Sequence, residues 1–231
     1  GHNSEVRQTA ILLVAGVVVL LLGVTGGLYS TFGESLRVTI FNAVSALSTT
    51  GFATVDYGRW NGLGWLVLIV LMLIGGGTGS TSGGIKQYRI HVLVRGLVWE
   101  FRRWLLPRSA VTEPVLWHGE SREFLTDRRL RQVAMFVFVY LVVFFLGSGL
   151  VAAHGYALDE SLFEFASALS TVGVSVGITS ASAPASLLWV EMGAMILGRL
   201  EFFAVVVGLA KILGDAPALI GARRPEGNPP A

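Results

Sequence analysis

Eleven residues of this chain occur twice. "FNAVSALSTTG" at residues 41–51 aligns with "FEFASALSTVG" at residues 163–173, offset by 122, and seven of the eleven positions are identical. Such self-similarity marks one structural unit built twice in tandem. Any fold must therefore give both copies equivalent settings. Each copy reads as about three turns of helical pattern followed by a Gly-containing extended stretch, too short to cross a bilayer as a helix.

The flanking segments are long and apolar. Residues 9–28 form a 20-residue run nearly free of charge, and about 20 such residues span a bilayer. Residues 133–153 form a second run, and residues 187–213 a third, interrupted by "GRLE" at 198–201. Residues 62–74 are equally apolar but number only 13, and they stop at ten small residues, 75–84, of which six are Gly and four Ser or Thr. A weaker helix-like stretch resumes at Ile85 and runs to about Trp104, so the two pieces read as one broken helix. The repeated unit is thus span, short helix with Gly stretch, span. Short segments between spans are buried helices or re-entrant loops, and irregular backbone at membrane depth survives only where protein or water satisfies it.

Composition agrees with a membrane class. Only 14% of the 231 residues are charged, against about 25% in an average soluble domain. Ten of the 17 Lys and Arg residues fall between Lys86 and Arg131, which marks a cytoplasmic loop under the positive-inside rule and not a nucleic-acid surface. Arg7 before the first span and Arg223 and Arg224 after the last belong on the same side. The other side carries a sparse mixture: Glu34, Arg37, Asp56, Arg59, Asp159 and Glu160. The N-terminus, connector and C-terminus are accordingly expected in the cytoplasm, with the short segments entering from outside. Trp60, Trp65, Trp99 and Trp104 fit interfacial belts. The chain has no Cys, and its four His at 2, 91, 118 and 154 lack ligand spacing. Thiolate chemistry is excluded, and an enzyme reading finds no nucleophile or paired acid and base to stand on.

Span, pore helix, filter, span is the unit of a potassium channel, whose filter replaces an ion's hydration shell with backbone carbonyls. Carbonyls aimed inward from unusual dihedrals need Gly, and Ser or Thr hydroxyls add acceptors. "STTGF" and "STVGV" meet that requirement; a plain helix C-cap is the alternative for either copy alone. Each stretch has one Gly, not the two of the TVGYG loop, which predicts looser ion discrimination.

Three roles suit a glycine tract: phosphate cradle, linker or pore element. A cradle needs G-x-x-x-x-G-K-[ST]. Gly79 and Gly84 have that separation, but Ile85 precedes Lys86, and Gln87 stands where Ser or Thr should. As a free linker the tract would begin inside the membrane, since 13 residues at 1.5 Å each cannot cross a core of about 30 Å. What remains is an intramembrane loop lining the pore below the filter. Arg199 lies in "MILGRLEFF", apolar on both sides, and Gly75 plus the offset of 122 falls at 197. One copy breaks its last helix with glycines where the other places an Arg. Pairing with Glu201 or snorkelling is the plainer role for that Arg; a cation beside a cation pathway raises its barrier. Lys86 can act similarly or serve as a boundary anchor.

"SALSTTGF", "GGGTGSTSGGIK", "SALSTVGVSVGITS" and "LGRLEFF" together resemble the Trk/Ktr/HKT superfamily of potassium transporters, most nearly its bacterial TrkH type, from about Thr9 to Leu213. The resemblance implies an all-α membrane protein of tandem helix–pore loop–helix repeats. It implies an ion filter at Thr49, Thr50, Gly51 and Phe52 and at Thr171, Val172, Gly173 and Val174, with potassium, and no organic cofactor, coordinated at Gly51 and Gly173. It implies a gate made of Gly75, Gly76, Gly77, Thr78, Gly79, Ser80, Thr81, Ser82, Gly83 and Gly84, with Lys86 and Arg199 beside it. A homodimer in a bacterial or archaeal inner membrane, taking a cytosolic ring of nucleotide-binding TrkA-like subunits, is implied as well.

The family's pore has four repeats, and the two here resemble the third and fourth. The other half is expected from a second chain or a missing segment, with self-pairing a further option. The expected organisation is a tag remnant or cytoplasmic segment at 1–8, a first repeat at 9–100, a basic connector at 101–131, a second repeat at 132–214 and a tail at 215–231. A sodium or non-selective cation pathway on this scaffold, and a non-conducting half that docks a partner, are the competing functions.

Overall fold

The computed structural model describes residues 4–105, 115–118, 121–180, 182–199, 208 and 211. Among these residues seven α-helices carry the fold: α1 (Ser4–Gly23), α2 (Phe32–Ser48), α3 (Gly62–Ile74), α4 (Gln87–Leu105), α5 (Asp127–Ala152), α6 (Leu158–Leu169) and α7 (Ala185–Arg199). Three of their starts follow side-chain caps. The Thr31 hydroxyl accepts the Glu34 N–H at 3.2 Å ahead of α2, and the Thr126 hydroxyl accepts the Arg129 N–H at 3.4 Å ahead of α5. Asn61 caps α3 through Gly64 N–H at 3.0 Å and donates to the Gly23 carbonyl at 2.9 Å, which ties α3 to the end of α1.

The expected all-helical class needs one amendment. Val115–His118 and Ser121–Phe124 in the connector form an antiparallel hairpin, β1 and β2, with Val115 opposite Phe124 and His118 opposite Ser121. "VLWH" and "SREF" supply Val, Trp and Phe with Gly119 between them in sequence, a hairpin-forming composition too short to outweigh the surrounding charge pattern. Within the expected connector of 101–131, α4 continues to Leu105 and α5 begins at Asp127.

α1 and α5 are long and apolar enough to cross a bilayer, whereas α3 has the 13 apolar residues expected of it. α1 starts ahead of the apolar run expected from Thr9. The part of the third expected span beyond Arg199, including Glu201, lies outside the described residues apart from 208 and 211. On α1, Ile11, Val14, Val18 and Leu22 are exposed while Leu20 is buried.

The short helices sit inside. α6 packs against α5 and α7 of its own half and against α3 of the other, and every residue from Phe163 to Ser170 is buried. Phe163 stacks near Tyr57 and Trp65, with ring centroids 5.4 and 6.2 Å away. The Phe165 ring lies where a side chain at Gly147 on α5 would go. α2 packs against α1 and α3 but leaves Ile40, Phe41 and Val44 exposed. The halves therefore meet head to tail, the last helix of the first upon the short helix of the second.

Candidate filter and loop at the junction of the halves

The two Ser-Thr-x-Gly stretches adopt one backbone path. Thr49 and Thr171 both have φ 55°. Thr49 N–H donates to Ala46 at 3.3 Å and Thr50 N–H to Ser45 at 3.0 Å; Thr171 N–H donates to Ala168 at 3.1 Å and Val172 N–H to Ser167 at 2.9 Å. Two residues after each Thr, Gly51 and Gly173 have φ 81° and 91°. An ordinary left-handed cap puts Gly at the first of these positions. Here a β-branched Thr occupies it in both copies, a conformation that costs about 1–3 kcal/mol and persists only where its surroundings impose it. The bonds are those of a helix C-cap, with Thr at the left-handed position that Gly usually takes.

The stretches also touch. The Val172 carbonyl oxygen lies against the Gly51 Cα, in space that a Cβ would occupy. Thr50 and Phe52 are exposed, and the Thr50 hydroxyl bonds the Ser48 hydroxyl at 2.6 Å. Val172 and Val174 are buried, whereas Gly173 is exposed with open space around its Cα. The matched serines also differ. Ser167 Oγ accepts the Gly173 N–H at 3.1 Å, while the equivalent Ser45 Oγ is buried without a partner among the described residues.

The glycine tract leaves α3 and returns to it. Ile85 and Lys86 N–H groups donate to Leu73 and Ile74 at 2.8 and 2.9 Å, and Gln87 N–H donates to Gly76 at 3.1 Å, so the loop is pinned at its base. Gln87 also donates through Nε2 to the Gly75 carbonyl at 3.3 Å and receives the Thr9 hydroxyl on Oε1. Within the loop Ser82 Oγ accepts the Gly76 N–H at 3.1 Å, and Ser80 donates to the Gly77 carbonyl at 2.6 Å. Gly75, Gly79, Gly84 and Lys86 have positive φ, and Thr78 and Gly79 are exposed at the tip. Gly83 passes so close to the Ser170 carbonyl and Thr171 Oγ1 that a Cβ there would collide with both. The loop thus lies directly against the second candidate filter.

Arg199, the last residue of α7, donates through Nη1 to the Thr81 carbonyl. It lines two spaces. One, of about 290 Å³, also has Ser80, Thr81, Ser82, Lys86 and Arg89 on its walls. The other, open and about 540 Å³, has Ser167, Thr171, Gly173, Met195 and Ile196. Arg199 therefore stands between the loop and the second filter stretch, and Lys86 shares the loop-side cavity with it.

Two residues inside the repeated window escaped the sequence reading. Asn42 donates to Val38 O at 2.8 Å and Thr54 Oγ1 at 3.0 Å, and its Oδ1 receives the Tyr57 hydroxyl at 2.8 Å. Burial pushes the Tyr57 phenol pKa upward, which keeps it a neutral donor. At the equivalent position 122 residues on, Glu164 binds the segment after the second stretch. Its carboxylate accepts from Ser175 Oγ at 2.6 Å, Val176 N–H at 3.1 Å and Thr179 N–H at 3.0 Å. The signal was present: buried polar residues at matched positions of an otherwise apolar repeat.

A largely helical fold with two helices long and apolar enough to cross a bilayer fits the class of helical membrane proteins. Residues 11–217 match the TrkH family, described as a cation transport protein, and the chain belongs to it. It is a family of transporters, not of enzymes. The chain is 34% identical over 174 residues, 75% of its length, to an uncharacterized cation transporter of Methanocaldococcus jannaschii, covering 36% of that protein. It is 30% identical over 202 residues, 85% of its length, to the Trk system potassium uptake protein TrkH of Halomonas elongata, covering 40% of it. The crystal structure of the potassium transporter TrkH from Vibrio parahaemolyticus superposes with a TM-score of 0.74 at 25% identity, over 90% of this chain and 44% of that one. The chain thus spans less than half the length of each.

Proposed function

We propose that this chain forms half of the pore of a potassium uptake system in a prokaryotic inner membrane, with its termini and connector in the cytoplasm. The observation that carries this reading is the pair of identical Thr-x-Gly turns, 122 residues apart, brought into contact between Gly51 and Val172. Carbonyls at Gly51 and Gly173 coordinate the ion in place of its water shell. The tract from Gly75 to Gly84, held to Arg199 through Thr81, is the gate. Arg199 adds a positive barrier under the filter, and Lys86 contributes to it from the same cavity.

The head-to-tail packing of α3 on α6 supports a larger assembly. Applied again, the same contact places another unit's last helix on α2, whose Ile40, Phe41 and Val44 are exposed, and α7 on a further short helix. Such heterologous contacts close into a ring when the rotation closes, so two more repeats complete the pore. The complete unit pairs as a homodimer and docks a cytosolic nucleotide-binding ring on the basic connector side. Uptake of a potassium tracer by the complete unit in liposomes tests the proposal: potassium-driven uptake supports it, and the absence of any monovalent cation flux refutes it.

A further inference from the structure

The loop after the second filter stretch is held by a carboxylate buried at 2% exposure. Glu164 receives the Ser175 hydroxyl and the N–H groups of Val176 and Thr179, all within six residues of Gly173. A second carboxyl, Glu191 on α7, is equally buried. Thr179 Oγ1 bonds Glu164 Oε1 and stands 2.8 Å from Glu191 Oε1. A hydroxyl has one proton and two lone pairs. It can donate to one of these oxygens only, and the other contact is repulsive unless that carboxyl brings a proton of its own. Glu164 already accepts from three other donors, which favours its ionised form. Glu191 has no further partner among the described residues. Among ionisable side chains on or beside the packed elements, Tyr140 bonds Ser170 at 3.0 Å, His154 bonds Ser186 at 2.8 Å, Asp159 accepts the Glu160 N–H at 3.0 Å, Arg199 bonds Thr81 and Tyr57 bonds Asn42, and none of these bonds goes to Glu191.

We propose that Glu164 is the positioning residue of the second filter loop, acting as an ionised carboxylate, and that a neutral, protonated Glu191 clamps it to α7 through Thr179. The proton runs Glu191 O–H to Thr179 Oγ1, and Thr179 O–H to Glu164. The first half achieves the same support without charge, through Asn42, Thr54 and Tyr57. The two filter stretches therefore sit on unlike supports, and among the described residues a carboxylate holds the loop after the second and an amide the loop after the first. Glu164 touches no ion in this arrangement; it acts through the backbone of residues 175–179. The inference rests on the proposed ion pathway for its functional readout alone.

The test uses the complete pore unit in liposomes, with the unaltered protein, E164Q, E164D and E191Q compared. Gln at 191 still donates to Thr179, so E191Q keeps potassium KM and potassium-over-sodium preference within about twofold of the unaltered unit. Gln at 164 turns an amide toward three donors, so E164Q lowers that preference by about tenfold, the loss of one charged hydrogen bond, and E164D restores part of it. Equal loss in E164Q and E191Q, or an unchanged E164Q, overturns the proposal. Difference infrared spectra provide an arm independent of transport. A neutral carboxyl carbonyl band present in the unaltered unit and lost in E191Q supports the proton assignment, and its absence from the unaltered unit overturns it. An unaltered unit that carries no cation at all refutes the proposed function instead, and the infrared result then decides this inference alone.

Discussion

Thr49 and Thr171 stand 122 residues apart and are both held at φ 55°, a left-handed conformation that a β-branched residue avoids. The same strain recurs at the same step of two turns, and under the proposed function it aims their carbonyls and hydroxyls at the ion. Relieving it should separate stability from function. Thr171→Gly removes about 1–3 kcal/mol of strain and adds about 1 kcal/mol of unfolded-state entropy. The expected outcome is a Tm unchanged or raised, with weaker potassium-over-sodium preference. Thermal melts in detergent alongside tracer competition check it.

The matched serines should respond unequally. Ser167→Ala removes the acceptor of the Gly173 N–H and should destabilise the protein by about 1 kcal/mol while blurring selectivity. Ser45→Ala deletes a buried hydroxyl that has no partner among the described residues and should be neutral or mildly stabilising. Denaturation and tracer uptake on the two variants measure the difference.

Arg199→Ala frees the Thr81 carbonyl and removes the charge between loop and filter. Basal cation flux should rise several-fold, about the effect of 1 kcal/mol on an opening equilibrium. Gly83→Ala drives a Cβ into the Ser170 carbonyl and should also unseat the loop and raise flux. Because both act on one contact, the double variant should fall short of the product of the two effects. Flux into liposomes from the single and double variants decides it.

The sequence showed some of this and hid the rest for physical reasons. The end of α3 at Ile74 was visible because a glycine tract cannot continue an apolar helix. The turns at Gly51 and Gly173 were visible because the chain writes them twice. Arg199 was matched in depth to the loop by the offset, but its bond to Thr81 goes to a backbone carbonyl, which no residue code announces. Glu164 stood out as a polar residue in an apolar repeat, but two of its partners are N–H groups, which the sequence does not show. The β1–β2 hairpin was missed because two four-residue strands leave little periodic signal among Arg and Glu.

The central claim is that backbone at Gly51 and Gly173 selects the ion, and reversal potentials in mixed potassium and sodium test it most directly. Gly173 has open space around its Cα, so Gly173→Ala perturbs only dihedrals that favour Gly. The unaltered unit should prefer potassium while passing measurable sodium, and Gly173→Ala should shift the reversal potential toward sodium with assembly intact. A strictly potassium-selective unaltered unit would contradict the expectation of loose discrimination from a single Gly per stretch. An unchanged reversal potential in Gly173→Ala would contradict the filter itself.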